Sequence, residues 1–149
     1  MKAKDIMTQE VITASPDTEI AYAAKLLLEN HINGMPVLDE NGKLTGIICQ
    51  SDLIAQQKSL PLPSFFTFLD GYIALTSMKQ LEKQVQKVAA ATVSQAMTKD
   101  PVTVNSDTEI NTVAALMVDQ NFHTLPVVEK DGTLVGIIGK EDVLKTIIS

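Results

Sequence analysis

The chain has 149 residues, of which 45% are hydrophobic and 20% are charged, and its formal net charge at pH 7 is −6. This composition indicates a globular protein of one domain or two small modules and excludes a disordered chain. All twelve basic residues are lysine. The planar guanidinium group that suits phosphates and guanine edges is therefore missing, which together with the acidic charge argues against a nucleic-acid-binding surface.

The sequence contains no apolar run near the roughly 20 residues that cross a bilayer, and no apolar signal core follows its first lysines. We therefore expect a cytoplasmic protein that is not embedded in a membrane. Cys49 is the only cysteine, which excludes an intrachain disulfide and argues against a thiolate zinc site. We expect Cys49 to be a buried strand residue and predict no metal site.

An internal repeat is the strongest signal in the sequence. Residues 6–54 align with residues 96–144 without a gap, at an offset of 90, with 17 identities in 49 positions. A unit of about 50 residues is too small to bury a good core alone, so the two should pack on each other. We predict a first repeat over 1–56, an insert over 57–92 and a second repeat over 93–149.

Each repeat predicts the same elements in the order β-α-β-β-α, which indicates an α/β (α+β) fold. In the first repeat a β-prone run over 11–14 precedes a helix that starts at Ser15-Pro16-Asp17 and ends near Asn30. Two apolar runs separated by Asn41-Gly42 then predict a hairpin, and Ser51-Asp52 opens a second helix.

The insert has no counterpart in the repeat. Residues 60–63 contain two prolines that exclude regular helix, residues 65–72 hold four of the six aromatic residues, and residues 77–88 predict an amphipathic helix with a lysine stripe. Three roles stay open for residues 60–88. The aromatic residues close the open end of the core, form a homodimer contact, or dock an unknown protein partner or a membrane surface.

The ordered, duplicated motifs resemble a tandem pair of cystathionine-β-synthase (CBS) domains. The residues that carry the resemblance are Met-Thr, Asp-Thr-Glu-Ile, an apolar residue before Pro-Val, Asx-Gly, and Gly-Ile-Ile followed by aspartate, and they recur across about 100 of the 149 residues. The resemblance implies a pseudo-twofold disc in which two sheets face each other, usually as a homodimer. It also implies regulatory binding of an adenosine-containing ligand between the repeats.

The resemblance gives Asp52 and Asp142 the role of accepting hydrogen bonds from a ribose diol. Chemistry alone leaves an alternative open, in which each aspartate only caps a helix N-terminus. In the family the residue three positions before the aspartate is a threonine or serine that contacts phosphate. Here that position holds Cys49 or Gly139, and neither side chain is a good phosphate donor.

The resemblance builds each cleft from both repeats and gives two sets of ligand-binding residues. The first set is expected to hold a nucleotide, whereas Glu141 in the second would repel phosphate and leave that cleft empty or bound to a nucleoside. A phosphate contact and no role are both open for His123, and His31 is given no ligand role. The first set is Lys99, Val102, Phe122, His123, Thr124, Ile48, Cys49, Ser51 and Asp52, and the second is Gln9, Ile12, Ile32, Asn33, Gly34, Ile138, Gly139, Glu141 and Asp142.

The predicted function is a non-catalytic regulatory module, with energy sensing among its roles. No cofactor is required, and AMP, ADP or ATP is expected as ligand in preference to S-adenosylmethionine or NAD. The alternative is a ligand-free structural module for protein interaction or dimerisation. The sequence shows no nucleophile triad, phosphate loop or metal cluster, so we do not expect an enzyme.

Overall fold

The structure, a computed structural model, describes residues 1–59 and 91–148. The aromatic segment and the amphipathic helix predicted within residues 60–88 lie outside the described residues, so their roles stay predictions.

The described elements confirm a mixed α+β fold with small antiparallel sheets. The predicted end of the first helix, near Asn30, is confirmed by its C-cap position, and the equivalent helix of the second repeat has its C-cap at the equivalent residue, Gln120. In chain order the elements are α1 (Ala3–Ile6), α2 (Ile20–Glu29), β1 (Gly34–Leu38), β2 (Leu44–Cys49), α3 (Gln50–Ser59), α4 (Val93–Ala96), β3 (Thr98–Lys99), α5 (Ile110–Asp119), β4 (Thr124–Val128), β5 (Leu134–Gly139) and α6 (Lys140–Ile148).

Both predicted hairpins are present. β1 pairs with β2 from Gly34 opposite Cys49, and β4 pairs with β5 from Thr124 opposite Gly139. In the connecting turns Gly42 has a φ of 79° and Gly132 a φ of 86°, in the left-handed region that favours glycine. The identical register of the two hairpins brings the start of each C-terminal helix beside the start of its own hairpin.

Two predictions for the first third of each repeat are wrong. The β-prone runs form no strand, because only Ala14 and Val104 pair with a hairpin, each through a single parallel bridge. Ser15-Pro16-Asp17 forms a turn, closed by a hydrogen bond from the Thr18 amide to the Ser15 carbonyl, and α2 begins only at Ile20. Glu19 stays extended because it bridges to Thr92, which delays the helix.

The repeats exchange their N-terminal segments. α1, from the first repeat, contributes Ala3 to the core around Val127 and Ile138 of the second repeat. α4, from the second repeat, contributes Val93 to the core around Leu27 and Ile48 of the first. Each hydrophobic core therefore contains residues from both sequence repeats, and neither repeat completes its core alone.

The exchange continues into the sheets. β3 adds to the first hairpin as its third strand, with Thr98 opposite Ile47, and Thr8 makes two backbone hydrogen bonds with Ile137 in the second hairpin. Each Met-Thr segment thereby contacts the hairpin of the other repeat. These crossings carry residues of both repeats to the same clefts.

Candidate functional site

Two clefts of similar size lie where the exchanged segments meet the starts of α3 and α6. Asn33, Thr124 and Lys140 line both of them. The Asp52 cleft has a volume of about 450 Å³ and is lined by Asn33, Ile47, Cys49, Gln50, Ser51, Asp52, Ile54, Thr98, Asp100, Pro101, Val102, Asn121, Phe122, His123, Thr124, Leu125 and Lys140. The Asp142 cleft has about 390 Å³ and is lined by Thr8, Glu10, Val11, Ile12, Asn30, His31, Ile32, Asn33, Gly34, Thr124, Ile137, Gly139, Lys140, Glu141 and Asp142.

Most of the residues predicted for each cleft lie together in its lining, drawn from both repeats as expected. The Asp52 cleft contains the predicted Val102, Phe122, His123, Thr124, Cys49, Ser51 and Asp52. The Asp142 cleft contains the predicted Ile12, Ile32, Asn33, Gly34, Gly139, Glu141 and Asp142.

Four predicted residues, Ile48, Ile138, Lys99 and Gln9, do not line the clefts. Ile48 and Ile138 are fully buried in the two cores. Successive side chains of a strand point to opposite faces, and Ile47 and Ile137 line the clefts in their place.

The other two positions show the same shift by one residue. Thr98 and Asp100 line the Asp52 cleft on either side of Lys99, and Thr8 and Glu10 line the Asp142 cleft on either side of Gln9. The Asp52 cleft therefore has a carboxylate, Asp100, where the sequence placed a lysine. Asp100 has a φ of 50°, a left-handed conformation that the sequence does not reveal.

Asp52 and Asp142 occupy equivalent positions, each in the first turn of its helix. The Asp52 Oδ2 atom accepts a hydrogen bond from the Cys49 amide at 2.9 Å, and the Asp142 Oδ2 atom accepts one from the Gly139 amide at 2.8 Å. Neither aspartate is the N-cap residue itself, because each is the third residue of its helix. Its bond to the amide of the residue before the helix nevertheless satisfies an amide of the helix start, so a purely structural capping role stays open beside the ligand role. An ionised carboxylate that accepts this bond keeps further lone pairs for a ligand.

Asp52 is half-buried, and its burial raises the pKa of the carboxyl group above its usual range. The hydrogen bond from the Cys49 amide and the hydroxyl of Thr98 act in the opposite direction and offset part of this rise. The ionised carboxylate is therefore less favourable in the folded protein than in the unfolded chain.

We expect Asp52→Asn to raise the free energy of unfolding at neutral pH. The pKa of Asp52 is higher in the folded protein than in the unfolded chain, so the protonated carboxyl group favours the folded state. This stabilisation is complete below the unfolded pKa and is lost as the pH rises through the folded pKa, whereas an asparagine stays neutral at every pH. The difference between variant and wild type should shrink as the pH falls towards about 4, the ordinary range for aspartate. Chemical denaturation over this pH range checks it, and a variant less stable than wild type at neutral pH would contradict it.

Cys49, predicted as a buried strand residue, is the last residue of β2 and is half-buried at the wall of the Asp52 cleft. Burial, with a smaller contribution from the Asp52 carboxylate, raises the pKa of the thiol to about 11. A pKa in this range keeps Cys49 a neutral thiol at physiological pH.

Two further residues help to shape the clefts, namely His31, which was expected to have no ligand role, and Asn121, which was not among the predicted site residues. His31 lines the Asp142 cleft and Asn121 lines the Asp52 cleft, with φ values of 54° and 58°. They are equivalent positions of the repeat, and each follows the end of its helix. The alignment of the two repeats pairs them, which is the signal that could have revealed both.

Within residues 1–59 and 91–148, no group of three or more histidine, cysteine or acidic residues is placed to hold a metal ion. The same part of the chain has no helix that is both long and apolar enough to span a bilayer.

The fold and the clefts define a class of protein, a tandem-repeat α+β module with ligand-sized clefts built from both repeats. The sequence model of the CBS domain matches residues 3–59 and 93–149. The chain belongs to the CBS domain family. CBS pairs are typically regulatory modules.

The chain is similar to proteins that consist largely of a CBS pair. It is 31% identical to the uncharacterised protein MJ1426 of Methanocaldococcus jannaschii, over 99% of this chain and 92% of that protein. It is also 31% identical to the chloroplastic CBS domain-containing protein CBSX2 of Arabidopsis thaliana, over 95% of this chain and 61% of that protein. The chain thus spans less than two thirds of CBSX2.

Two solved structures with bound ligands share the fold. The crystal structure of CBSX2 in complex with AMP has a TM-score of 0.73 and 29% identity, covering 99% of this chain and 96% of that one. The CBS domain pair of protein MJ0100, in complex with 5′-methylthioadenosine and S-adenosyl-L-methionine, has a TM-score of 0.73 and 28% identity, covering 99% and 95%.

Proposed function

We propose that this protein is a non-catalytic regulatory module that binds an adenosine-containing ligand, AMP, ADP or ATP, in the Asp52 cleft. Binding biases its conformation or its affinity for a partner. The observation that carries the proposal is the Asp52 carboxylate, oriented by the Cys49 amide at 2.9 Å in the lining of a cleft of about 450 Å³. The cytoplasmic location remains part of this proposal.

The chemistry of the Asp52 cleft suits a nucleotide. A ribose diol has two hydroxyl groups that need acceptors, and an oriented carboxylate supplies them. Ile47, Val102 and Phe122 offer apolar surface for a base. A volume of about 450 Å³ lies within the usual range for small-molecule sites.

A phosphate has favourable partners at the same wall. Lys140 and His123 line the cleft, and so does the first turn of α3, whose amide groups carry the positive end of the helix dipole. Their attraction for a phosphate opposes the repulsion from the Asp52 and Asp100 carboxylates, which line the same cleft. The AMP bound to CBSX2, a relative with the same fold, supports a nucleotide as ligand for this family member.

A ligand in this cleft would contact both repeats at once. Asp52 belongs to α3 of the first repeat, whereas Phe122 and His123 precede β4 of the second. Binding therefore favours whichever arrangement of the repeats brings these walls to the ligand. The ligand can shift the equilibrium between the two arrangements only by as much as its affinities for them differ.

Thermal unfolding of the full chain with adenine nucleotides tests the proposal. A ligand at about 100 times its Kd should raise the free energy of unfolding by about 2.7 kcal/mol, which corresponds to about 5–10 °C for a domain of this size. AMP, ADP and ATP are compared with S-adenosylmethionine and NAD, and with GMP as a control for the base. No shift with any adenine compound would refute the proposal and favour the ligand-free interaction module.

We also propose that the chain forms a homodimer. Leu28 near the end of α2 and Val118 near the end of α5 are equivalent positions of the repeat, and they are 67% and 79% exposed. Apolar side chains repeated at equivalent sites suit a symmetric contact with a second copy. Leu28→Glu with Val118→Glu should convert a dimer to a monomer in analytical ultracentrifugation. A wild-type monomer at micromolar concentration, or a double variant that still dimerises, would refute this contact.

A further inference from the structure

Because the two clefts are built from equivalent positions of the repeat, their lining residues can be compared one by one. Asp52 and Asp142 are equivalent, Asp100 and Glu10 are equivalent, and Lys140 lines both clefts. Each cleft also contains one histidine. The acidic residue without an acidic counterpart is Glu141, which faces the Asp142 cleft at the position that Ser51 occupies in the Asp52 cleft.

Glu141 stands directly before Asp142 in the first turn of α6. With the ribose held by Asp142, we take the 5′ substituent to lie beside the neighbouring Glu141, which lines the same cleft. In the Asp52 cleft the same place is occupied by the neutral hydroxyl of Ser51. The Glu141 carboxylate repels a 5′ phosphate and attracts a 5′ ammonium or sulfonium group.

We propose that the Asp142 cleft binds nucleosides whose 5′ substituent is neutral or positively charged, and that Glu141 is the residue that excludes nucleotide phosphates. Ser51 is its counterpart and leaves the Asp52 cleft open to phosphates. This inference rests on the proposed function, because it assumes that both clefts hold the ribose of an adenosine compound. One position of the repeat then sorts ligands of opposite charge into two otherwise similar clefts.

Both positions are expected to tolerate exchange. Ser51 and Glu141 are exposed at the second residue of α3 and of α6. Glutamate at such a position interacts favourably with the helix dipole, and serine is tolerated near a helix N-terminus. Ser51→Glu and Glu141→Ser therefore change the charge of one cleft each without altering a core.

Three probes that differ only at the 5′ position test the charge preference, namely AMP, adenosine and 5′-amino-5′-deoxyadenosine. They are titrated by calorimetry into the full chain carrying Asp52→Ala, so that the Asp142 cleft is measured alone. Adenosine should bind, the amino compound should bind more tightly, and AMP more weakly. Adding Glu141→Ser should improve AMP binding about tenfold, the effect of one nearby charge in a half-open cleft, and change adenosine binding less than twofold.

Ser51→Glu in a chain carrying Asp142→Ala is the reciprocal test, and it should weaken AMP binding to the Asp52 cleft about tenfold. Glu40→Ser, in the turn between β1 and β2 and outside both clefts, removes the same charge and controls for the net charge of the chain. It should leave all three affinities unchanged.

The outcomes separate this inference from the proposed function. If AMP binds the Asp142 cleft as tightly as adenosine does, or Glu141→Ser leaves its affinity unchanged, the inference is overturned and the proposed function stands. If adenosine and AMP both fail to bind even the wild-type chain, both are overturned. Adenosine binding to the wild type but not to the Asp52→Ala chain shows that the Asp142 cleft takes no nucleoside, which overturns the inference alone.

Discussion

Gly46→Ala is expected to lower the free energy of unfolding by about 1–3 kcal/mol, the usual cost of overpacking. A Cβ atom on Gly46 would lie 2.7 Å from the Sδ atom of Met97 and 2.8 Å from the carbonyl oxygen of Thr98. The methionine can move, but the carbonyl belongs to β3, which is paired with β2 at this point. Thermal or chemical unfolding measures the loss, which should be about 2–10 °C.

The second repeat supplies the matched control for this substitution. The three atoms nearest to a Cβ atom on Gly136 all belong to the side chain of Met7, the closest at 2.6 Å, and a methionine side chain adapts more easily than a backbone. Gly136→Ala should therefore cost less than Gly46→Ala. At Gly139 an added Cβ atom would meet nothing closer than 3.8 Å, so Gly139→Ala should be close to neutral. Equal losses at Gly46 and Gly139 would contradict this account of the exchanged strands.

The close contacts of Gly46 and Gly136 give a structural reason for two of the motifs that recur in both repeats. Each glycine lies beneath the methionine of the other repeat's Met-Thr segment, so the Gly-Ile-Ile and Met-Thr motifs are two sides of one contact. The repeated motifs alone do not show which copy of one meets which copy of the other, and it was the resemblance that placed Lys99 in one cleft with Asp52. The exchange of α1 and α4 between the two cores was not predicted, because tertiary pairing between repeats decides it and neither propensity nor periodicity depends on it.

The difference between local sequence patterns and tertiary pairing also explains which parts of the site could be predicted. Helix ends and hairpins follow from local chemistry, such as the glycines of the turns, and they were predicted to within a few residues. The errors at Ile48 and Lys99 are one-residue shifts on strands, since the face that a strand residue takes depends on its partner. His31, Asp100 and Asn121 depend on left-handed backbone conformations, which the surrounding fold imposes.

Asp52→Ala is expected to weaken AMP binding to the chain about a hundredfold or more. A carboxylate that accepts two hydrogen bonds from a ribose makes charge-assisted contacts, each contributing about 1.5–3 kcal/mol, and truncation removes both. The stabilisation of the wild type by AMP in thermal unfolding should therefore be lost at the same ligand concentration. Calorimetric titration gives the change in affinity directly.

Asp142→Ala is the matched variant, because it removes an equivalent structural hydrogen bond. The Asp52 and Asp142 carboxylates accept their amide bonds at 2.9 and 2.8 Å from equivalent residues, so the unliganded variants lose the same kind of contact. A loss of AMP binding confined to Asp52→Ala would therefore reflect contact with the ligand and not a damaged helix start. Equal losses in the two variants would place AMP in both clefts or in neither, and would refute the assignment of the nucleotide to the Asp52 cleft.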